Sequence, residues 1–548
     1  MMTVSGRRAS SAPIVLRATG LVMGVLLLAT ACGSSAKTKA TSSTANDSRP
    51  VNGGSLVIGT STDPSGWNPH SAEWDQSASL IGSSVLEPLA ALGSDNGAKP
   101  WLATGWIANS TFTQWVIKLR QGVKFQDGEP FDATAVKQNI DDAATGLISG
   151  QAFGSLIRST SVVDSQTVLV KMTQPWAAFP SSFLDGQAAM MMAPAMLKAS
   201  DHGASHPIGT GPFTFETWQP GNEFQTKRNP DYWQKGLPHL DSLDFRILTD
   251  AGTRAQSLQT GDVDMILTAN ADSANRLASS FNVVRDWDTE PVNLVLNTVP
   301  SFGGTSNPLA NQHARLALAY ATDRQQVAKS IGKGVLSPTS PFAPNTPWGM
   351  PDAENNYPAF DLTKAKQEVA AYEQATGRTS LSFSILGQAD VDNTRLLQML
   401  QAQWLKAGIN TKITASAQSA LTTNLITGNY NAAVVSLYSA PDPDQDAYFW
   451  SAATIKGVGG ININMAQYTT PRIEADLKTG RQSGYENLRR TAYNDLVVQL
   501  NDASTNIWLY WTPWSLIANK KVHGLDKAGH VPFGNYSPKT WLGDLWTQ

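Results

Sequence analysis

The run Thr394-Arg-Leu-Leu-Gln-Met-Leu-Gln-Ala-Gln-Trp404-Leu-Lys406-Ala-Gly408-Ile409-Asn-Thr-Lys-Ile413 decides the fold class. Leu396, Leu397, Leu400 and Trp404 recur at three- and four-residue spacing, one face of a helix, and Gly408 ends it. Ile409 to Ile413 then reads as a strand. Helix, glycine and strand in immediate succession mark an α/β layer.

Outward from this step the same alternation holds. Ser55-Leu-Val-Ile-Gly59 reads as a buried strand closed by a turn at Asp63-Pro64. Trp115 to Leu119 alternates as a half-buried strand, with turns at Gln121-Gly122 and Asp127-Gly128. Asp132 suits the N-cap of a helix through Ile140, and Val162 to Met172 reads as two strands around Asp164-Ser165. Helices are expected from Gln312 and over 484–503, the latter followed by the strand Ile507-Trp-Leu-Tyr510. No fixed-period repeat is present.

The chain has 548 residues, room for three or four domain-sized units. A formal net charge of -3 supplies no basic field for nucleic acid. One cysteine excludes intrachain disulfides and cysteine-rich metal sites. The compositional surplus is tryptophan: 17 residues, all beyond residue 66.

Residues 1–31 hold Arg7, Arg8 and Arg17, no acid, and an apolar run from Ala18 to Ala31, too short to span a bilayer as a mature helix. They read as a secretory signal. Leu28-Ala-Thr-Ala-Cys32 resembles a bacterial lipobox, which makes Cys32 the acylated mature N-terminus, although Ala29 stands where leucine is usual. Residues 32–52 read as a flexible tether rich in Ser, Thr, Ala and Lys. Without residues 1–31 the chain carries 38 basic and 44 acidic residues. A mildly acidic body held by lipid outside the cytoplasmic membrane is expected.

Catalytic motifs are present only in fragments. Ser330-Ile-Gly-Lys333, Lys478-Thr-Gly480 and Ser504-Thr-Asn506 match the three motifs of penicillin-recognising acyl-enzymes, but the S-x-N element comes last, not between the others. His202 and His206 lie in a loop without the glutamate of a zincin, so solvent-exposed turn histidines are expected. Ile208-Gly-Thr-Gly-Pro212 is either a tight turn or an anion-binding loop. Pro441-Asp-Pro-Asp-Gln-Asp446 is either a loop whose acids are solvated or cap the helix beginning near Ala447, or a carboxylate set aimed into a cleft.

In order along the chain, several segments resemble the solute-binding proteins of ABC importers in the dipeptide/oligopeptide/nickel family. They include Gly53–Gly59, Val85-Leu-Glu-Pro-Leu89, Leu119-Arg-Gln-Gly-Val-Lys-Phe125 with Asp127-Gly128 and Pro130-Phe131, Gly209-Thr-Gly-Pro212, Arg228-Asn-Pro-Asp-Tyr-Trp233, Leu258-Gln-Thr-Gly-Asp-Val-Asp264 and Ala317–Arg324. The resemblance covers roughly residues 53–526. It implies a two-lobed α/β fold of the periplasmic-binding-protein type II, with an extra subdomain and two crossover segments. By this resemblance lobe I spans 53–297 with the subdomain at roughly 90–207, lobe II spans 298–510, and 511–548 return to lobe I. The crossovers fall near Val292–Thr298 and Trp508–Trp514.

The resemblance further implies a monomeric receptor without cofactor or metal, on the extracytoplasmic face of the cell membrane. It would hand a peptide or peptide-like solute to a permease with ATPase subunits. Family peptide binders hold the α-ammonium group with an aspartate three residues after a Gly-Trp pair; Val435-Ser-Leu-Tyr-Ser-Ala-Pro441 has neither that pair nor any acid before Asp442. Asp442 can substitute from one turn later, or Glu73 and Asp75 from the opposite lobe. Trp67, Trp74, Trp348, Tyr438, Trp450, Trp511 and Trp514 fall on segments this architecture brings near the cleft. The expected ligand-binding set is therefore Trp67, Glu73, Trp74, Asp75, Trp348, Tyr438, Ser439, Asp442 and Trp511. Aromatic faces also suit sugar rings, so an oligosaccharide or other non-peptide solute is the alternative, and a serine acyl-hydrolase or a structural adhesin the more distant ones.

Overall fold

The computed structural model describes residues 49–437, 440–525, 531–532 and 537–548, so Cys32, Tyr438 and Ser439 lie outside the described residues. The helix of the opening run is Val391–Leu405, one turn earlier than its apolar spacing alone suggests, because the Asp390 side chain accepts from the Asn393 N–H and caps it. Gly408 takes φ 86°, and Ile409–Ser416 leaves as a strand parallel to Leu381–Gln388. That strand–helix–strand unit is the edge of a five-stranded sheet.

This sheet runs in the order Ile409–Ser416, Leu381–Gln388, Ala432–Ser436, Pro291–Leu296, Asn506–Trp511. Its core gathers Leu294, Leu318, Leu397 and the fully buried Trp404, whose Nε1 donates to Thr322 Oγ1 at 2.9 Å. Burying such a side chain stabilises by about 2–3 kcal/mol, and the hydrogen bond removes the cost of its polar edge.

A seven-stranded mixed sheet runs Asn282–Asp286, Trp514–Ala518, Met265–Thr268, Ser55–Thr60, Ser242–Ile247, Glu223–Arg228, Phe213–Gln219. A separate antiparallel sheet of Ala103–Ala108, Gln114–Leu119, Thr167–Met172 and Ile157–Asp164 is backed by the helix Ala133–Thr145, which Asp132 caps as expected. The fold is thus mixed α/β with several sheets.

The chain leaves the seven-stranded sheet after Asp286 and enters the five-stranded one at Pro291, then returns between Trp511 and Trp514. The first crossing therefore occupies 287–290 and the second 512–513. Val292–Leu296, expected to cross, is a strand of the second sheet: its residues are buried throughout and pair on both edges, with Ala432–Ser436 and Asn506–Trp511. An apolar run with both edges satisfied has no backbone groups left exposed to bend as a hinge.

Candidate functional site

A cavity of about 520 Å³ is walled by residues of both large sheets' layers, of the subdomain and of the first crossing. Its wall on the first-lobe side is the segment 67–82. Gln187 Nε2 donates to the carbonyls of Pro69 at 2.8 Å and Ala72 at 2.9 Å, fixing the loop that presents Glu73 and Trp74. Trp74 lies against Gly82, where a Cβ would come within 2.5 Å of its ring. Asp75 does not line the cavity: it caps the helix Gln76–Gly82, accepting from the Ala78 N–H at 2.9 Å, and accepts from the Thr62 hydroxyl.

Glu290, in the first crossing, ties that link to the second crossing and to the first-sheet side. It is buried and accepts from Gln76 Nε2 at 2.9 Å and Trp514 Nε1 at 3.0 Å, while its carbonyl accepts from the Thr512 N–H of the second crossing at 2.8 Å. Burial pushes its carboxyl above the usual range, and these neutral donors pull it partway back.

The aspartate run divides its labour. It forms a 3-10 helix, Pro443–Phe449, starting four residues before the expected position, with Asp442 as its N-cap. Asp442 Oδ1 pairs with Arg489 Nη2 at 2.5 Å, and its Oδ2 accepts from Ser181 Oγ at 2.5 Å. Asp444 pairs with Arg481 Nε at 2.8 Å and accepts from Trp176 Nε1 at 2.7 Å. Gln445 Nε2 donates to the Ser181 carbonyl at 2.9 Å. The Ala177 N–H reaches the Arg481 carbonyl at 2.9 Å. These bonds join the segment 176–185 to the segment 442–482, far apart in the chain. Asp446, the last acid of the run, faces the cavity instead.

Of the expected ligand residues, Glu73 and Trp74 reach the cavity wall. Trp67 is fully buried, 4.5 Å from Phe224 and 5.5 Å from Trp218 by ring centroids, and serves the first-lobe core. Trp348 donates to the Pro441 carbonyl at 3.0 Å and lies under Arg489. Trp511 is buried beside the second crossing and does not line the cavity; neither does Asp442, which is committed to Arg489 and Ser181. Trp450 packs on Phe342, and Trp514 is spent on Glu290. Among the described residues the aromatic wall is Trp74, Phe153, Tyr448, Phe449 and Tyr510.

Sequence reasoning passed over Glu290, which lies in a short link with no motif; of the aspartate run weighed as facing a cleft, it chose Asp442, whereas Asp446 is the one that lines the cavity. The Gly209-Thr-Gly211 turn is structural: a Cβ on either glycine would strike the Val85 carbonyl, and the N–H groups serve Gln126 Oε1 and the Val85 carbonyl. Ser330 Oγ donates to the Val327 carbonyl and Ser504 Oγ to the Asn501 carbonyl, so neither hydroxyl is paired with a base. His202 lies in a turn but binds Asp142 at 2.7 Å, which also holds buried His70.

Two large sheets joined by two short crossings, with a cavity walled from both, suit a solute-binding protein. The family model for bacterial extracellular solute-binding proteins, family 5 Middle, matches residues 97–459. The chain belongs to that family, one of binding proteins and not of enzymes. The glutathione-binding protein GsiB of Salmonella paratyphi A is 32% identical over 351 residues, 64% of this chain and 67% of that protein. Among solved structures, the binding protein AgaA of A. tumefaciens R10, in complex with agropinic acid, superposes with a TM-score of 0.78 at 24% identity, covering 90% of this chain and 99% of that one. DppA of Helicobacter pylori, in complex with the peptide STSA, gives 0.75 at 22% identity, over 91% and 98%. At such identities the likeness of the structures is one of fold.

Proposed function

We propose that the protein is the lipid-anchored receptor of an ABC importer, capturing a peptide or peptide-like solute between its lobes and delivering it to the membrane permease. The observation that carries this reading is the cavity of about 520 Å³ lined by Glu290 of the first crossing and by Gln445, with residues of both large sheets' layers. Solute-driven closure is the signal, and ATP hydrolysis belongs to partner subunits. The peptide class is supported by the GsiB relative and by the acidic wall of Glu73, Glu290 and Asp446. An oligosaccharide reading rested on clustered tryptophans; of the six described ones, Trp74 alone lines the cavity, so no stacking platform of tryptophans supports it.

The lobes are proposed to follow sheet membership, 53–286 with 514–548 and 291–511, with 90–207 as the subdomain. Cys32 is the proposed acylation point, the tether keeping the receptor near its transporter at high effective concentration.

Tryptophan fluorescence titration against tripeptides, glutathione, maltotriose and nickel chelates tests the ligand class. Saturable binding of tripeptides or glutathione is expected. Binding of maltotriose or a chelate alone would replace the peptide reading.

A further inference from the structure

We propose that Asp476 and Asp495 form a proton-held clip between the helices Pro471–Gln482 and Glu486–Ala503, fastened in acid and released as the surroundings turn alkaline, and that the clip sets how firmly this hairpin holds the aspartate run. The inference concerns the hairpin and stands whatever the solute is.

The two helices are pressed together on their inner side. Ile473 and Leu477 of the first share an apolar core with Tyr493, Leu496 and Leu500 of the second. Gly480 marks the close approach: a Cβ there would fall 2.3 Å from the Tyr493 ring. That packing fixes what meets at the solvent-facing seam, where Asp476 stands beside Asp495. Gln499 Nε2 donates to Asp476 Oδ2 at 2.7 Å and reaches Asp495 Oδ2 at 3.2 Å, so both carboxyl groups converge on one nitrogen. Thr470 Oγ1 donates to Gln499 Oε1 at 3.0 Å, which fixes the orientation of the amide.

One neutral amide cannot balance two like charges, and two ionised carboxylates so placed repel; a single shared proton removes the repulsion. Arg472 pairs with Asp495 through Nε at 2.6 Å and through Nη2, which leaves Asp476 to take the proton. Loss of water around Asp476, then the hydrogen bond and charge of Asp495, push its carboxyl up to about 7, against Gln499 and Arg472. The other charges nearby act elsewhere. Asp502, further along the second helix, acts on Arg472, and Glu474 is taken by Thr469 and the Ala452 N–H. The groove wall at Met350, Leu488 and Thr491 carries no charge. The Asp495 side chain is 26% exposed, so solvent protons reach the pair.

The same hairpin carries both arginines that hold the aspartate run, Arg481 on Asp444 and Arg489 on Asp442. Below about 7 the seam is a hydrogen-bonded carboxyl pair; above it like charges face each other across the two helices. Because the raised value belongs to the folded state, the clip's contribution to stability is complete below the unfolded value of 3.8 and is lost as pH rises through about 7.

The test is amide hydrogen exchange of the full chain, read by mass spectrometry from about pH 5 to about pH 9 and corrected for the intrinsic rate. In wild type, exchange of 471–503 should rise about two- to fivefold across neutral pH, the span an exposed charge pair commands, while the helix Val391–Leu405 stays unchanged. Residues 443–449 should follow, through Asp442 and Asp444. Asp476→Asn should hold 471–503 at the wild type's acid value throughout. Arg472→Met should move the midpoint to higher pH, because its charge draws Asp476 down. An equal rise in wild type and Asp476→Asn, a rise shared by Val391–Leu405, or flat exchange of 443–449 overturns the proposal. Should Asp476→Asn fail to fold by thermal melt, Arg472→Met decides, and an unmoved midpoint overturns the clip.

Discussion

The indole N–H of Trp176, on the subdomain side, donates to Asp444 Oδ2 on the second-lobe side at 2.7 Å, with both side chains buried. If closure proceeds as proposed above, this bond forms only while the lobes are together. Trp176→Phe keeps the ring packed on Phe153, Phe179 and Phe183 but removes the donor. A charge-assisted bond is worth about 1.5–3 kcal/mol, so solute affinity should fall by about tenfold or more. Small-angle scattering at saturating and sub-saturating solute should show a shifted open–closed balance. Unchanged affinity and radius would remove this bond from the closure mechanism.

Arg489 pairs with Asp442 in the protein interior, donates through Nε to the Gly480 carbonyl at 2.6 Å, and lies 4.7 Å from the Trp348 ring centroid. Arg489→Met leaves Asp442 buried without its cation, at an expected cost of about 3–5 kcal/mol in urea denaturation. Arg472→Met, which breaks an exposed pair with Asp495, should have a much smaller effect. Equal effects of the two would mean the interior pair is not what holds this region.

Glu87 is fully buried and accepts from four neutral side chains: Trp101 Nε1 and Tyr232 Oη at one oxygen, Thr210 Oγ1 and Trp233 Nε1 at the other. Glutamine presents an amide N–H₂ to one of those donor pairs. Glu87→Gln should therefore destabilise by about 1–3 kcal/mol at neutral pH, read by chemical denaturation.

Burial holds the Glu87 carboxyl above its ordinary value, with its four donors drawing it partly down. The native state then keeps this proton over a range where the unfolded chain, near 4.5, has lost it. Its contribution to stability is complete below the unfolded value and is lost as pH rises through the folded one. The stability difference between wild type and Glu87→Gln should fall with rising pH from about 4.5 and then level off. A difference that grew with pH would reverse the assignment.

Cys32→Ser should abolish palmitate labelling and release the body from the membrane fraction without altering solute binding, since Cys32 lies ahead of every residue that lines the cavity. Continued membrane association of the variant would mean another anchor.

Much of the fold was legible because periodicity and punctuation agree locally: Gly408 stops one helix, Asp132 starts another, and both behave as their chemistry requires. The site was less legible for a specific reason. Tryptophans near the cleft in sequence order were read as facing it, but Trp67 and Trp348 find hydrogen-bonding or aromatic partners behind the wall, and burial there removes more apolar surface from water than a cavity position does. The acid run was visible, but which acid met an arginine depended on Arg481 and Arg489, some 37 and 47 residues further on. Glu290 had no local signal at all, since its partners Gln76 and Trp514 are more than 200 residues away on either side.

The bonds between segments 176–185 and 442–482 also bear on time. None of Trp176, Ser181, Asp442 and Asp444 lines the cavity, yet on the proposed closure the bonds among them break before the lobes part. How long a solute stays is then governed by bonds it never touches. On the proposed closure, chemically different solutes that fit would leave at similar rates while arriving at different ones.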